Sequence, residues 1–295
     1  VTVKPIAVIT VTYSPGEYLG RFVDSLARAT VRGTYTVLAD NGSTDGVPEQ
    51  QAAADPAVEF LPTGGNVGYG TAINIAARRL VDKRRSGDID EEFFIISNPD
   101  VEFGENSIDT LVECAKRWPN AASVGPVIVE ADGSAYPSAR AVPTITNGIG
   151  HALFSGIWPS NPWTAAYRNA SDMSTERTAG WLSGSCLLVR WDAFEAVGGF
   201  DERYFMYMED VDLGDRFSRH GYVNVLCPAA TIQHAVGHAA GKHPEKMLPA
   251  HHDSAYRFQA DRHPGLIHAP LRAALWMGLK VRALIAVSCA RLRKK

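Results

Sequence analysis

Tyr35-Thr36-Val37-Leu38-Ala39-Asp40-Asn41-Gly42-Ser43-Thr44-Asp45-Gly46 decides the reading of the fold. A short β-branched, apolar run ends in an acid and then in Asn-Gly, a pair that forces a tight turn. The small polar side chains that follow can cap a helix. The stretch therefore reads as a buried strand, Tyr35–Ala39, that delivers Asp40 to the carboxyl edge of a sheet. Asp40 stands where a base or ribose hydroxyl could be gripped. The Asn-Gly and Ser-Thr pieces serve equally well as a plain strand-to-helix turn.

The pattern extends in both directions. Ile6–Thr12, Val58–Leu61 and Phe93–Ser97 read as further buried strands, with helical periods near Tyr18–Ala29, Thr71–Lys83 and Ser107–Trp118. Such alternation predicts an α/β fold of βαβ units, a mainly parallel sheet and right-handed crossovers. In these sheets ligands bind beyond the carboxyl ends of the strands. Beyond residue 130 the chain is less regular, with a Pro- and Trp-rich stretch over Tyr136–Thr178. A strand is predicted over Trp181–Arg190, a short element over Asp192–Val197, a helix near Asp210–His220 and a strand over Val223–Cys227. From about residue 244 the sequence is helical, punctuated by Pro249, Pro264 and Pro270.

The composition is that of an ordinary globular protein: 295 residues, 45% apolar and 21% charged. A formal net charge of -3 argues against nucleic acid as a partner. Cys114, Cys186, Cys227 and Cys289 form no CxxC pair and read as separate buried thiols of a reducing compartment. The N-terminal residues lack the order of a signal peptide. No stretch reaches the roughly 18 apolar residues of a spanning helix. These features predict a cytoplasmic location.

Three further clusters carry chemistry. Asn98-Pro99-Asp100 follows the strand Phe93–Ser97, where a carboxylate can hold Mg2+ or Mn2+ against diphosphate oxygens, or simply close a turn. Gly198-Gly199-Phe200-Asp201-Glu202 and Phe205-Met206-Tyr207-Met208-Glu209-Asp210-Val211-Asp212 set several acids among bulky aromatics, unlike a solvated charge run. Asp210 falls in the first turn of a helix, where the dipole favours an anion and where a carboxylate could accept the proton of an attacking hydroxyl. His234, with His238 four residues on, could complete a metal site. A lone histidine is also commonly structural.

Taken together these clusters resemble the inverting glycosyltransferases of family 2, which have the GT-A fold, over Ile6 to about His238. The resemblance implies a Rossmann-like mixed sheet with a parallel centre flanked by helices, followed by a C-terminal helical extension. It implies nucleotide-sugar contacts from Thr10, Thr12, Tyr13, Asp40 and Asn41, from Asn66, Gly68, Tyr69 and Asn74, and from Asn98 and Asp100. Asn98 replaces the first acid of the family's Asp-x-Asp motif, so Asp100 is the expected metal ligand, with His234 as the second. In the Glu209-Asp210 pair, Asp210 is expected to be the catalytic base, and Glu209 to orient the acceptor or the loop.

Trp181-Leu182-Ser183-Gly184-Ser185-Cys186, Tyr136-Pro137-Ser138-Ala139-Arg140 and Asn161-Pro162-Trp163 narrow the resemblance to bacterial rhamnosyltransferases that build a cell-wall linker unit. These imply a β-linked dTDP-rhamnose donor, a polyprenyl-diphosphate-GlcNAc acceptor and an α-rhamnosyl product. The acceptor is expected against Trp181, Ser183, Gly184, Phe205 and Tyr207. The corresponding division is a catalytic domain over 1–240, with a nucleotide-sugar half (1–130) and an acceptor half (131–240), and a helical region over 241–295.

Within that region Leu271–Leu292 mixes apolar residues with Arg272, Lys280, Arg282 and Arg291 and runs into Arg293-Lys294-Lys295. A basic amphipathic helix can lie in the headgroup layer, which would make the protein peripheral to the cytoplasmic face of the plasma membrane. Packing on its own domain is the competing reading. Other classes fit less well. A nicotinamide enzyme would carry GxGxxG where Thr12-Tyr13-Ser14-Pro15-Gly16 stands. A sugar-1-phosphate nucleotidyltransferase would carry an early Gly-rich loop with arginine. The alternatives kept open are the same fold acting on another nucleotide sugar or glycan, and a non-catalytic protein that binds lipid-linked glycan.

Overall fold

The computed structural model describes residues 3–145, 172–235 and 244–293, without the side chains of 244–248 and 285–293. His238, Asn161-Pro162-Trp163, Lys294-Lys295 and the side chain of Cys289 lie outside what is described. The chain forms two compact units: 1–142, 170–202 and 210–235 make the first, and 143–169, 203–209 and 236–295 the second.

In the first unit the strands are β1 (Ile6–Thr12), β2 (Thr34–Asp40), β3 (Val58–Pro62), β4 (Phe93–Ser97), β5 (Val101–Phe103), β6 (Ala121–Val129), β7 (Ala135–Tyr136), β8 (Ala139–Arg140), β9 (Arg177–Ala179), β10 (Trp181–Leu182), β11 (Cys186–Arg190) and β12 (Val223–His234). The helices are α1 (Tyr18–Ala29), α2 (Val47–Ala54), α3 (Tyr69–Ser86), α4 (Ser107–Arg117), α5 (Trp191–Ala196) and α6 (Glu209–Arg219). The main sheet runs β3-β2-β1-β4-β11-β6-β12-β5, with β7 beside β6 and β9 beside β12. Strands β3, β2, β1 and β4 are parallel, β11 runs against both β4 and β6, and β12 is parallel to β6. The chain moves outward from β1 to β3 and then returns to the other side of β1 as β4. The carboxyl ends of β1 and β4 therefore flank a topological switch point, where α/β sheets place their ligands.

Burial on both faces explains the continuous apolar runs in these strands. Ile6 and Val8 pack with Leu19, Phe22 and Leu26 of α1 and with Ile108 and Leu111 of α4. Ala7 and Ile9 face the other way, with Ala72, Ile73 and Ala76 of α3, Phe194 of α5 and Leu213 and Phe217 of α6. Trp191 stacks on Phe94 at 3.9 Å between centroids, anchoring α5 to β4.

Four features depart from the expectations. The strand predicted over Trp181–Arg190 is two, β10 and β11, parted at 183–185. The strand predicted over Val223–Cys227 continues to His234 and makes a bulge on the way: Cys227 pairs with Pro126, and the next pair is Thr231 with Val127. Pro126 has no N–H to give the ladder, so the irregularity falls where a bond is missing anyway. Strand β6 itself had no counterpart in the sequence reading, because Ala121-Ala122-Ser123-Val124-Gly125-Pro126 carries little strand signal. Finally, Cys114 and Cys227 are not separate. They face one another from α4 and β12, with the Glu176 carboxylate within 4.8 Å of both sulfurs, although Glu176 also accepts from the Arg117 guanidinium and from Trp118 Nε1 at 2.7 Å. Cys186 is buried elsewhere.

The second unit contains α7 (Pro244–Arg262) and α8 (Ala269–Arg293), with a short 3-10 turn over Leu266–His268. Pro249 sits inside α7 and Pro270 in the first turn of α8, where its missing N–H costs nothing. Lys280 of α8 bonds Asp253 of α7 at 2.6 Å, and Ala283 is buried. Leu266, Ile267, Trp276, Met277, Val281 and Leu284 are exposed.

Candidate active site

The loops after β1 and β2 are knitted together before any ligand is considered. Asp40 Oδ1 accepts from Thr12 Oγ1 at 2.7 Å and from Ser43 Oγ, and Oδ2 from the amides of Gly42 at 3.0 Å and Ser43 at 2.9 Å. Burial opposes ionisation of Asp40, but these donors outweigh it and hold the carboxyl below its ordinary range. A carboxylate has about four lone-pair sites, so the charge of Asp40 is already fully engaged in shaping the turn. Ser14, at φ 52, gives its amide to Ser43 Oγ at 2.8 Å and accepts the Thr44 amide at 3.0 Å.

Asn41 joins this loop to the next one. Its Nδ2 reaches Gly68 O at 3.2 Å and Asn66 Oδ1 at 3.5 Å, while Oδ1 accepts from Thr63 at 2.8 Å. Thr10 is fully buried on β1, and its Oγ1 has no hydrogen-bond partner among the described residues. Tyr13 is exposed, as is Asn66. Asn74 lies apart from the role implied by resemblance. Its amide brackets the backbone of Phe200, giving Nδ2 to the carbonyl at 2.8 Å and taking the N–H at 2.9 Å. It serves the Gly199–Glu202 loop, and its burial leaves it little access to a nucleotide.

Two acidic centres lie near the switch point. In the first, β12 runs antiparallel to β5 with His234 opposite Val101, which sets the imidazole beside the preceding Asp100. His234 Nε2 is 3.0 Å from Asp100 Oδ1 and 3.3 Å from Asn98 Nδ2. Carboxylate, imidazole and amide thus converge on one point, and turning the Asn98 amide would present its oxygen there. This donor set suits a divalent ion that accepts oxygen and imidazole ligands.

In the second, Asp210 opens α6 and lies beside the interruption between β10 and β11. Its Oδ2 accepts the Gly184 amide at 3.0 Å, and its Oδ1 the Val211 amide at 2.8 Å. Burial raises the pKa of Asp210, and the amides of Gly184 and Val211 together with the charge of Arg140 offset this only in part. A carboxylate held ionised by two amides, yet more basic than usual, is suited to taking a proton. Gly184 O in turn accepts from Tyr69 Oη at 2.6 Å, and Asn98 N bonds Ser185 O at 2.9 Å. The 183–185 segment thus links the two centres. Ser183 Oγ turns to Ser185 Oγ at 2.9 Å.

Trp181 is half-buried, with Nε1 on Ala141 O at 3.0 Å. Helix α6 passes directly beneath it. A methyl group on Gly214 would lie 2.8 Å from Trp181 Cβ and 2.9 Å from its Cα. Gly214→Ala is therefore expected to cost about 1–3 kcal/mol through overpacking, read as a lower thermal midpoint. An unchanged melting curve would mean that α6 can shift freely.

Glu209, Phe205 and Tyr207 belong to the second unit. Glu209 is buried. Tyr207 packs edge-on to His251 at 5.4 Å. Tyr207 and Met208 are consecutive left-handed residues, both at φ 66, a conformation costing about 1–3 kcal/mol each. Phe205 is exposed and lines a cavity of about 330 Å³ with Arg203, Ala250, Asp253, Ser254 and Arg257.

A mixed sheet with a parallel centre and two carboxylate centres at its switch point is the arrangement of a sugar transferase. The model of the family described as Glycosyl transferase family 2 matches residues 7–197, and that of Glycosyl transferase family group 2 matches residues 161–242. The chain belongs to glycosyltransferase family 2. It is 50% identical over 286 residues to the N-acetylglucosaminyl-diphospho-decaprenol L-rhamnosyltransferase of Mycobacterium tuberculosis, covering 96% of this chain and 92% of that protein. Rhamnosyltransferase WbbL of Escherichia coli is 23% identical, over 86% of this chain and 92% of its own length. Among solved structures, the mannosyltransferase PcManGT of Pyrobaculum calidifontis, in complex with GDP-Man and Mn2+, superposes with a TM-score of 0.56 at 18% identity, covering 99% of this chain and 76% of that one. GalNAc-T7 with UDP, GalNAc and Mn2+ gives 0.56 at 15% identity, over 79% and 44%. These two likenesses establish the GT-A type of fold.

Proposed function

We propose that this enzyme transfers L-rhamnose from dTDP-rhamnose to a polyprenyl-diphosphate-linked N-acetylglucosamine in one inverting displacement. The observation that carries the proposal is the 50% identity over 96% of the chain to a protein named for that reaction. The placement of Asp100, His234 and Asp210 around one switch point supports it. Asp210 takes the proton of the acceptor hydroxyl. The Gly184 and Val211 amides fix the orientation of its carboxylate. The loops tied by Thr12, Asp40 and Asn41 frame the nucleoside, with Tyr13 and Asn66 exposed at their rim. Asp100 and His234, with Asn98, would hold Mg2+ or Mn2+, which when bound supplies positive charge for the departing nucleotide diphosphate.

In this reading residues 1–240 form the catalytic part, donor first and acceptor second, and 241–295 meets the inner face of the membrane. The helix α8 both packs on α7 and exposes an apolar face, Met277, Val281 and Leu284 at helical spacing. That face suits the headgroup layer in which the acceptor is anchored. Sedimentation with vesicles checks this: the protein should pellet with anionic liposomes at low salt and stay in the supernatant without them.

The deciding experiment supplies purified enzyme with a panel of nucleotide sugars, the lipid-diphosphate acceptor and Mg2+ or Mn2+, and follows product mass. Addition of a deoxyhexose from dTDP-rhamnose alone is expected. Preference for another donor or acceptor would replace the substrate, and no transfer from any donor would favour a glycan-binding protein. Trp181 offers an aromatic face beside Asp210, where the apolar side of the acceptor sugar would stack. Trp181→Ala should raise the acceptor KM about tenfold, a loss of the order of one aromatic contact, with little change in donor affinity. The opposite pattern would move Trp181 to the donor side.

A further inference from the structure

Arg140 lies on the short strand β8, opposite Trp181 in the antiparallel pair of β8 and β10. One edge of its guanidinium is fixed, because Nε–H donates to Pro137 O at 2.7 Å. The plane is held between two aromatic rings, 5.4 Å from the centroid of Tyr136 and 5.7 Å from that of Trp181. Its four remaining N–H groups make no hydrogen bond and no ion pair among the described residues, and Asp210 feels its charge without being bonded to it. Several arginines elsewhere on the first unit are paired with acids: Arg79 with Glu59, Arg84 with Asp192 and Glu195, Arg216 with Asp212. An arginine oriented on one edge and by two rings, with its fork unused, is a preorganised receptor for a two-oxygen anion.

The place of this receptor identifies the anion. Arg140 neighbours Trp181, and two residues past β10 the Gly184 amide holds Asp210. The Arg140 charge reaches Asp210 itself. It therefore stands on the side from which the acceptor hydroxyl approaches. An acceptor whose sugar presents a hydroxyl to Asp210 carries its diphosphate one hexose ring away.

We propose that Arg140 binds the diphosphate of the lipid-linked acceptor and so positions the sugar hydroxyl at Asp210. This rests on the acceptor class given under the proposed function. Arg140 is a positioning residue, since it touches the diphosphate and not the reacting atoms. It selects acceptors that carry a diphosphate over neutral glycosides.

The test compares the wild-type enzyme with Arg140→Gln and Arg140→Lys. The first readout is inhibition, competitive with the acceptor, by farnesyl diphosphate, with farnesol as the neutral control. The second is the dissociation constant of dTDP-rhamnose in the presence of Mg2+ or Mn2+. Farnesyl diphosphate should inhibit the wild type, and Arg140→Gln should weaken that inhibition about ten- to a hundredfold, the range of a lost charge-assisted hydrogen bond. Arg140→Lys, which keeps the charge and loses the fork, should fall between them. It also serves as the folded comparison if the glutamine variant melts early. Farnesol inhibition and donor affinity should not change. Equal weakening of farnesyl diphosphate and farnesol, or no inhibition of the wild type by farnesyl diphosphate, would overturn the proposal. A parallel loss of donor affinity would assign Arg140 to the donor diphosphate and overturn it as well. If the wild type transfers no sugar to the lipid-diphosphate acceptor, the proposed function fails. If transfer is normal and the inhibition constants do not respond to Arg140, only this inference fails.

Discussion

Asp210→Asn is expected to lower the transfer rate by about 10²–10⁴ while dTDP-rhamnose binds almost as before. The acceptor hydroxyl is a weak nucleophile and a weak acid at neutral pH. Its proton must leave as the new bond forms, on the face opposite the departing diphosphate. Asparagine keeps the shape of Asp210 and its oxygen can still accept the Gly184 amide, but its NH2 group would then face the Val211 N–H, so the melting curve of the variant is compared with that of the wild type. The asparagine nitrogen has no lone pair for the proton. The pH profile gives an independent reading. Burial raises the pKa of Asp210, and the base works only when ionised. Activity should therefore fall with decreasing pH through a value above the ordinary aspartate pKa of about 3.9, and the asparagine variant should lose that limb. Near-normal turnover in Asp210→Asn, or a product that keeps the donor's anomeric configuration, would remove Asp210 as the base.

The second large effect concerns Asp100. Asp100→Ala should abolish metal-dependent turnover, a loss of about 10²-fold or more, since the charge a divalent ion contributes at a leaving diphosphate is worth several kcal/mol. His234→Ala should do less, because the carboxylate and the diphosphate would remain as ligands. The two substitutions should combine less than additively, since their side chains meet at 3.0 Å. Titration with Mn2+ provides the measurement, with His234→Ala needing more ion to reach its maximum. Full activity in excess chelator, or in Asp100→Ala, would remove the metal from the reaction.

The parallel half of the sheet is legible because β1, β2 and β4 are buried along most of their length and α1, α3 and α4 each keep one apolar stripe; α2, whose one buried residue is Pro48, gives no such signal. Helix α1 was anticipated to the residue, and β1 and β4 likewise. The acceptor side was harder to read. Strand β6 is built from small residues and a proline, and it is held by neighbours that lie far away in sequence. The break between β10 and β11 is a tertiary effect, as Gly184 leaves the ladder to meet Asp210 and Tyr69. Asp100 and Asp210 stand out by their places after a strand and at a helix start, whereas His234, seven residues beyond the expected strand, is singled out only by the family resemblance. That Asp40 engages both oxygens within its own turn, and that Asn74 clamps Phe200, could not be seen from residue types. Both are suited to ligands, and only distances reveal that their hydrogen bonds are already made. In the sequence Arg140 is only the last residue of Tyr136-Pro137-Ser138-Ala139-Arg140. Its signal is an arginine without an acid to pair with, which sequence does not display.

The bulge in β12 also gives the strand slack. Between Cys227 and Thr231 one strand advances four positions while β6 advances one, from Pro126 to Val127. The segment before the bulge is bound to the core through Val225 and Leu226, and the segment after it pairs anew with Val127–Val129 of β6 and with β5, with Ile232 in the core. Strain arising in the interior can dissipate in Pro228–Ala230 before it reaches His234. The bulge thereby separates the register of His234 from that of Val225. Stability changes made at Val225 and changes in function made at His234 should then add independently, leaving the interior free to drift in sequence while the imidazole at the strand's tip stays in place.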